Sequence, residues 1–132
     1  MQESNYNTEF INLSLEGGII YVTFKKGPIT LDIAKELVDN RLSLSKGKDF
    51  PVLLSDEGAG LTGVDRDARE YMASGKGIEG ILASAFYTAS VFNKLLASFF
   101  LRISNRESTF PTKIFSNKEE AIKWLQNFVT KE

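Results

Sequence analysis

VLLSDEGAGLTGVDRDAREYM, residues 52–72, joins an apolar run to a glycine-rich acidic loop and the charged start of a helix. Val52-Leu53-Leu54-Ser55 follows Pro51 and is apolar to its last residue. Such a run suits a strand covered on both faces of a parallel sheet. Downstream, residues 65–73 set Val64, Ala68, Tyr71 and Met72 at helical spacing with charges between them. Strand, flexible loop and helix form the repeating unit of α/β domains, and the loop is where such domains place binding groups.

The flanking sequence repeats the unit. Residues 9–16 alternate, with Ile11, Leu13 and Leu15 on one face and Asn12, Ser14 and Glu16 on the other, which predicts a half-buried strand. Gly17-Gly18 supplies a hairpin turn, and residues 19–25, IIYVTFK, predict its second strand. Gly27-Pro28 breaks that strand. Thr30 reads as a helix N-cap, followed by a stripe of Ile33, Ala34, Leu37, Val38, Leu42 and Leu44, and Gly47 closes the helix. Beyond residue 73, Gly75 and Gly77 end the second helix, and residues 78–86 predict a fourth strand. Residues 87–103 predict a third helix, rich in Phe. Thr112-Lys113-Ile114-Phe115 is a fifth strand, and Asn117 with Glu120 three residues on opens a last helix in the manner of a capping box.

The expected fold is a single α/β domain in the order β-β-α-β-α-β-α-β-α. It has a mixed, mostly parallel five-stranded sheet with helices packed on it. Residues 1–8 read as a flexible N-terminus and residues 9–132 as the domain, since 132 residues make one core rather than two.

Composition narrows the function. Sixteen basic and seventeen acidic residues leave a net charge of −1, without the basic excess that nucleic-acid binding needs. The sequence has no cysteine and no histidine, which removes thiolate nucleophiles, the commonest zinc ligands and the usual near-neutral base. The expectation is therefore a non-enzyme with no catalytic residue, no metal and no cofactor. The N-terminal MQESNYNTEF lacks the charged and apolar regions of a signal peptide. Residues 78–103 are interrupted by Asn93, Lys94 and Arg102 and do not read as a membrane span. A cytoplasmic protein is expected.

The order of elements, with its opening hairpin and its loop-to-helix step after the third strand, resembles the STAS domain over residues 10–129. This is the sulfate-transporter and anti-sigma-factor-antagonist family, with the SpoIIAA-like fold. Residues 110–125, FPTKIFSNKEEAIKWL, are similar to the ending of small bacterial STAS-like proteins: a proline, a short strand ending in Phe, a capped helix and Ala-x-x-Trp-Leu. The family's antagonists carry Asp-Ser-Ser-Gly at the start of the second helix, where a partner kinase phosphorylates one serine. Over that place lie Asp65, Arg66, Asp67 and Ala68, so the phosphoacceptor is missing, and neither Ser55 nor Thr62 matches its position. Asp67 puts a permanent charge where the family has a switchable one. The resemblance implies a regulatory module that contacts a protein partner through Gly60, Thr62, Asp65, Arg66, Asp67 and Arg69.

Other readings compete for the same residues. Residues 58–63, GAGLTG, spell G-x-G-x-x-G, a dinucleotide fingerprint when it follows the first strand of a βαβ unit. Here it follows the third strand and is flanked by Asp56, Glu57, Asp65 and Asp67, which repel a pyrophosphate. Those carboxylates suit a hard cation in chemistry but lack EF-hand spacing. Asp65 as a helix cap and Asp67 at the positive helix end account for two of them, with Arg66 and Arg69 solvated or paired with Glu70. In the Phe-rich helix, Phe92, Phe99 and Phe100 widen the apolar stripe. Beyond a core role, that width suits a homodimer interface or a pocket for an apolar, lipid-like ligand.

Overall fold

The computed structural model describes residues 5–56, 62–88 and 110–129. Its strands are β1 Asn5–Asn7, β2 Ile11–Glu16, β3 Ile19–Phe24, β4 Phe50–Asp56, β5 Ile81–Tyr87 and β6 Thr112–Phe115. Its helices are α1 Leu31–Ser45, α2 Arg66–Met72 and α3 Lys118–Leu125. The strands lie in one sheet in their order along the chain, antiparallel from β1 to β3 and parallel from β3 to β6.

The sheet therefore has six strands, not five. The extra one, β1, falls within the N-terminal segment expected to be flexible. In that polar stretch Tyr6 stands opposite Leu13 and packs against the core, while Asn5 and Asn7 face outward. Thr8 closes the turn to β2: its Oγ1 accepts from the backbone N–H groups of Phe10 and Ile11, both at 3.1 Å.

β4 is buried on both faces, as its unbroken apolar run requires. Val52 joins one core with Ile11, Leu13, Ile20, Val22, Ala34, Leu37 and Val38. Leu53 joins the other with Ile19, Ala83, Ala85, Ala121 and Leu125. Helices α1 and α2 share the first face, as expected when successive crossovers advance in one direction. Helix α3 packs on the second face, where Trp124 touches Phe115 and Phe128 with ring centroids 5.7 and 5.1 Å apart. Burying a side chain such as Leu53 or Leu125 contributes about 1.5–3 kcal/mol.

The caps follow the sequence at α1 and α3. Thr30 Oγ1 accepts from Ile33 N–H at 3.4 Å, and Asn117 Oδ1 from Glu120 N–H at 3.0 Å. Around Gly77 the expectation needs correction. Residues Gly75–Ile78 form a 3-10 turn, and the strand expected from residue 78 is β5, which starts at Ile81. The turn presses on the end of α2, so that a Cβ at Gly77 would lie 2.5 Å from the Met72 carbonyl oxygen and closer still to that of Tyr71. Tyr87, expected to open the third helix, closes β5, and residues 89–109 lie outside the described residues.

Two expectations follow. Gly77→Ala must push two backbone carbonyls aside and lowers stability by about 3 kcal/mol in urea denaturation, an overpacking cost at the upper end of the usual range. At Tyr21, burial and the Glu16 carboxylate raise the phenol above its ordinary 10.0. The neutral phenol therefore contributes stability that is full below pH 10 and lost as the pH rises past the folded value. Urea midpoints fall less steeply above pH 10 in Tyr21→Phe than in the parent chain.

Candidate functional site

Those residues singled out by the sequence that the structure describes, Thr62, Asp65, Arg66, Asp67 and Arg69, lie between the end of β4 and the body of α2. Asp56 ends β4 beside Phe24 of β3, and Thr88 follows β5. Thr88 is fully buried and its hydroxyl donates to Asp56 Oδ2 at 2.7 Å, tying the ends of β4 and β5 together. A hydrogen bond of this kind to a carboxylate contributes about 1.5–3 kcal/mol.

The start of α2 is fixed from the side. Ile29, completely buried just before α1, bridges to Val64: its N–H donates to the Gly63 carbonyl at 2.9 Å, and Asp65 N–H donates to the Ile29 carbonyl at 2.9 Å. The same segment that leads into α1 thus sets where α2 begins. From within α2, Arg69 Nη1 reaches back to the Val64 carbonyl at 2.6 Å.

On this fixed backbone Thr62, Asp65, Arg66 and Asp67 are exposed, with Arg69 half-buried beneath them. Asp65 occupies the N-cap position but makes no side-chain cap bond, which corrects its expected role as a capping side chain. Its backbone φ of −59° and ψ of 150° serve the bridge to Ile29 instead. Arg66 Nε pairs with Glu70 Oε2 at 3.3 Å in an exposed contact, a geometry worth about 0.3–0.5 kcal/mol. Gly60 lies outside the described residues, as do Phe92, Phe99 and Phe100.

Two alternatives weaken here. The sheet runs in chain order with no reversal, so it lacks the switch point at which open α/β sheets form a nucleotide crevice. Gly63, the last glycine of the fingerprint, commits its carbonyl to Ile29. Among the described residues, no group of three or more Asp or Glu side chains is placed to hold a metal ion.

The sequence matches, over residues 13–129, the family described as DUF7793, a domain of unknown function. The chain belongs to the DUF7793 family. No curated protein matches it. Among solved structures it is similar to an uncharacterised protein of the DUF3478 family with a SpoIIAA-like fold from Shewanella loihica. That likeness has a TM-score of 0.60 at 17% identity and covers 95% of this chain and 98% of the other. A protein of unknown function from an Arthrobacter species shares 28% identity over 86% of this chain and 97% of its own, with a TM-score of 0.32. This DUF7793 chain has the SpoIIAA-like fold, and among its described residues no helix is long and apolar enough to cross a membrane.

One residue that contacts the turn after α2 escaped the sequence reading. Arg41 of α1 is only 2% exposed, on the stripe with Ala34, Leu37, Val38, Leu44 and Ser45. Burial pushes its guanidinium down to about 10, with the Glu79 carboxylate pulling the other way, so it stays charged at neutral pH. Its spacing of three from Val38 and Leu44 was the available signal. Thr88 gave none, because its partner lies 32 residues away.

Thr88→Val removes the hydroxyl at nearly constant volume and lowers stability by about 2 kcal/mol in urea denaturation. Arg66→Ala, which breaks only an exposed pair, shifts it by less than about 0.5 kcal/mol.

Proposed function

We propose that this chain is a non-enzymatic regulatory module of the STAS-like kind, working in the cytoplasm of a bacterium without cofactor or metal. It engages a protein partner through the start of α2. The observation that carries the reading is the contrast between backbone and side chains there. The backbone of residues 63–65 is pinned to Ile29, while Asp65, Arg66 and Asp67 are exposed to solvent, and among the described residues Arg66 pairs with Glu70. A rigid backbone presenting charged groups loses little entropy on binding and steers a partner of opposite pattern.

The resemblance to the antagonists supports the same face. At the two serines of their motif, one of which is phosphorylated, this chain has Arg66 and Asp67. A fixed carboxylate cannot be switched by a kinase, so regulation here acts through the presence of the partner or of the chain itself. Arginine is a frequent energetic centre of protein interfaces, which marks Arg66 as the residue whose loss matters most.

The test is quantitative affinity capture from the source cells, with the parent chain, with Asp65→Ala/Arg66→Ala/Asp67→Ala, and with Glu119→Ala on exposed α3 as control. The expected result is a partner retained by the parent and the control and lost by the triple variant, with unchanged thermal unfolding of all three. In direct titration, Arg66→Ala weakens binding of that partner by about 2 kcal/mol, roughly thirtyfold in Kd. Identical recoveries from all three proteins sink the reading. Sedimentation separates a second copy of the chain from a different protein, since a monomer at high micromolar concentration excludes the former.

A further inference from the structure

Helix α2 is seven residues long, too short to hold its shape by helical hydrogen bonds alone. Its start is held by the two backbone hydrogen bonds to Ile29. Its far end runs through Ala73 into the 3-10 turn Gly75–Ile78, which is not itself part of the sheet. Arg41 supplies the missing hold. From the third turn of α1 its Nη2 donates to the carbonyls of Lys76, at 3.2 Å, and Gly77, at 3.4 Å.

These are contacts across 35 and 36 residues of chain, made by a side chain almost wholly out of water. The stem of Arg41 lies between α1 and the turn, and its head ties α1 to two carbonyls of that turn, Gly77 and Lys76, the second of which also accepts from Glu79 N–H. The second contact between the same elements, Lys76 Nζ to Asp39 Oδ1 at 3.5 Å, is exposed on both sides and contributes little by comparison. Gly77 completes the arrangement. With no Cβ, it lets the turn lie directly on the Tyr71 and Met72 carbonyls, so whatever fixes the turn also fixes the last turn of α2.

We infer that Arg41 is the clasp of the carboxyl end of α2, a positioning residue that keeps Asp65, Arg66, Asp67 and Arg69 in one orientation. The Ile29–Val64 bridge is the hinge about which α2 opens when the clasp is lost. This rests on reading that face as the contact surface, but the clasp itself is testable without a partner.

The experiment is residue-resolved hydrogen exchange on the full chain, comparing the parent with Arg41→Met, Arg41→Lys and Lys76→Ala. The reporters are the N–H groups of Ala73, Gly77 and Glu79, bonded to Arg69, Ser74 and Lys76, against that of Asp65, bonded to Ile29. In Arg41→Met the first three exchange at least about tenfold faster, while Asp65 and the amides of β3 and β4 stay within about twofold. Arg41→Lys, with one ammonium for two carbonyls, falls between, and Lys76→Ala matches the parent. Uniform acceleration through β3 and β4 overturns the inference, because Arg41 is then only core filling. Unchanged rates at Ala73 and Gly77 overturn it too. If Arg41→Met does not fold, the same regional pattern in Arg41→Lys decides the matter. A parent chain that captures no partner removes the contact reading while leaving the exchange result to judge the clasp.

Discussion

Val52 and Leu53 are adjacent in sequence and point into different cores, each about 1–2% exposed. Strand β4 therefore needs cover above and below, and the remaining elements provide it. Helices α1 and α2 bury one face with β2 and β3, and α3 buries the other through Ala121 and Leu125. Parallel pairing to β3 and β5 aligns three strand ends, which brings Asp56 and Thr88 within hydrogen-bond distance. A polar substitution within β4 disturbs both cores at once.

The helix that carries the charged face contributes little to either core. Only Ala68 and Met72 of α2 are buried, and neither is large enough to anchor it strongly. Its position is set from outside, by the Ile29 bridge at one end and Arg41 at the other. Burying a guanidinium is expensive, and Nη1 has no hydrogen-bond partner among the described residues. A hydrophobic side chain in its place would satisfy the core but remove both hydrogen bonds that tie α1 to the Lys76 and Gly77 carbonyls. Local stability is traded for a single geometry of the turn that follows α2.

Patterning made the cores legible. Alternation in residues 9–16 and the apolar run of β4 located two strands and their inner faces, because side-chain period is a local property. The SpoIIAA-like fold followed from element order, with one strand too few. Tyr6 hides β1 in a polar stretch, and a three-residue strand offers a single alternation to detect. The 3-10 turn before β5 was missed because Ile78 and Ile81 look alike in sequence, and what separates them is the packing of Gly77 on α2. At the candidate site the exposed charges of Asp65, Arg66 and Asp67 were legible. The absent side-chain cap at Asp65 was not, since it depends on Ile29, 36 residues away. Arg41 broke the expectation that cations face water, a rule that yields when carbonyls wait inside.

The sheet's strands lie in the order in which they occur along the chain. No strand has to be inserted between two neighbours that are already paired. Each new strand meets an edge completed before it, so a chain leaving the ribosome can extend its sheet residue block by residue block. Among the described residues the longest wait falls on the second face, where Ile19 of β3 and Leu53 of β4 are covered by α3 at residues 118–125. During synthesis the alanines of β5 and Leu53 present that face unprotected, and the last helix acts as the lid that ends the nascent chain's exposure to aggregation.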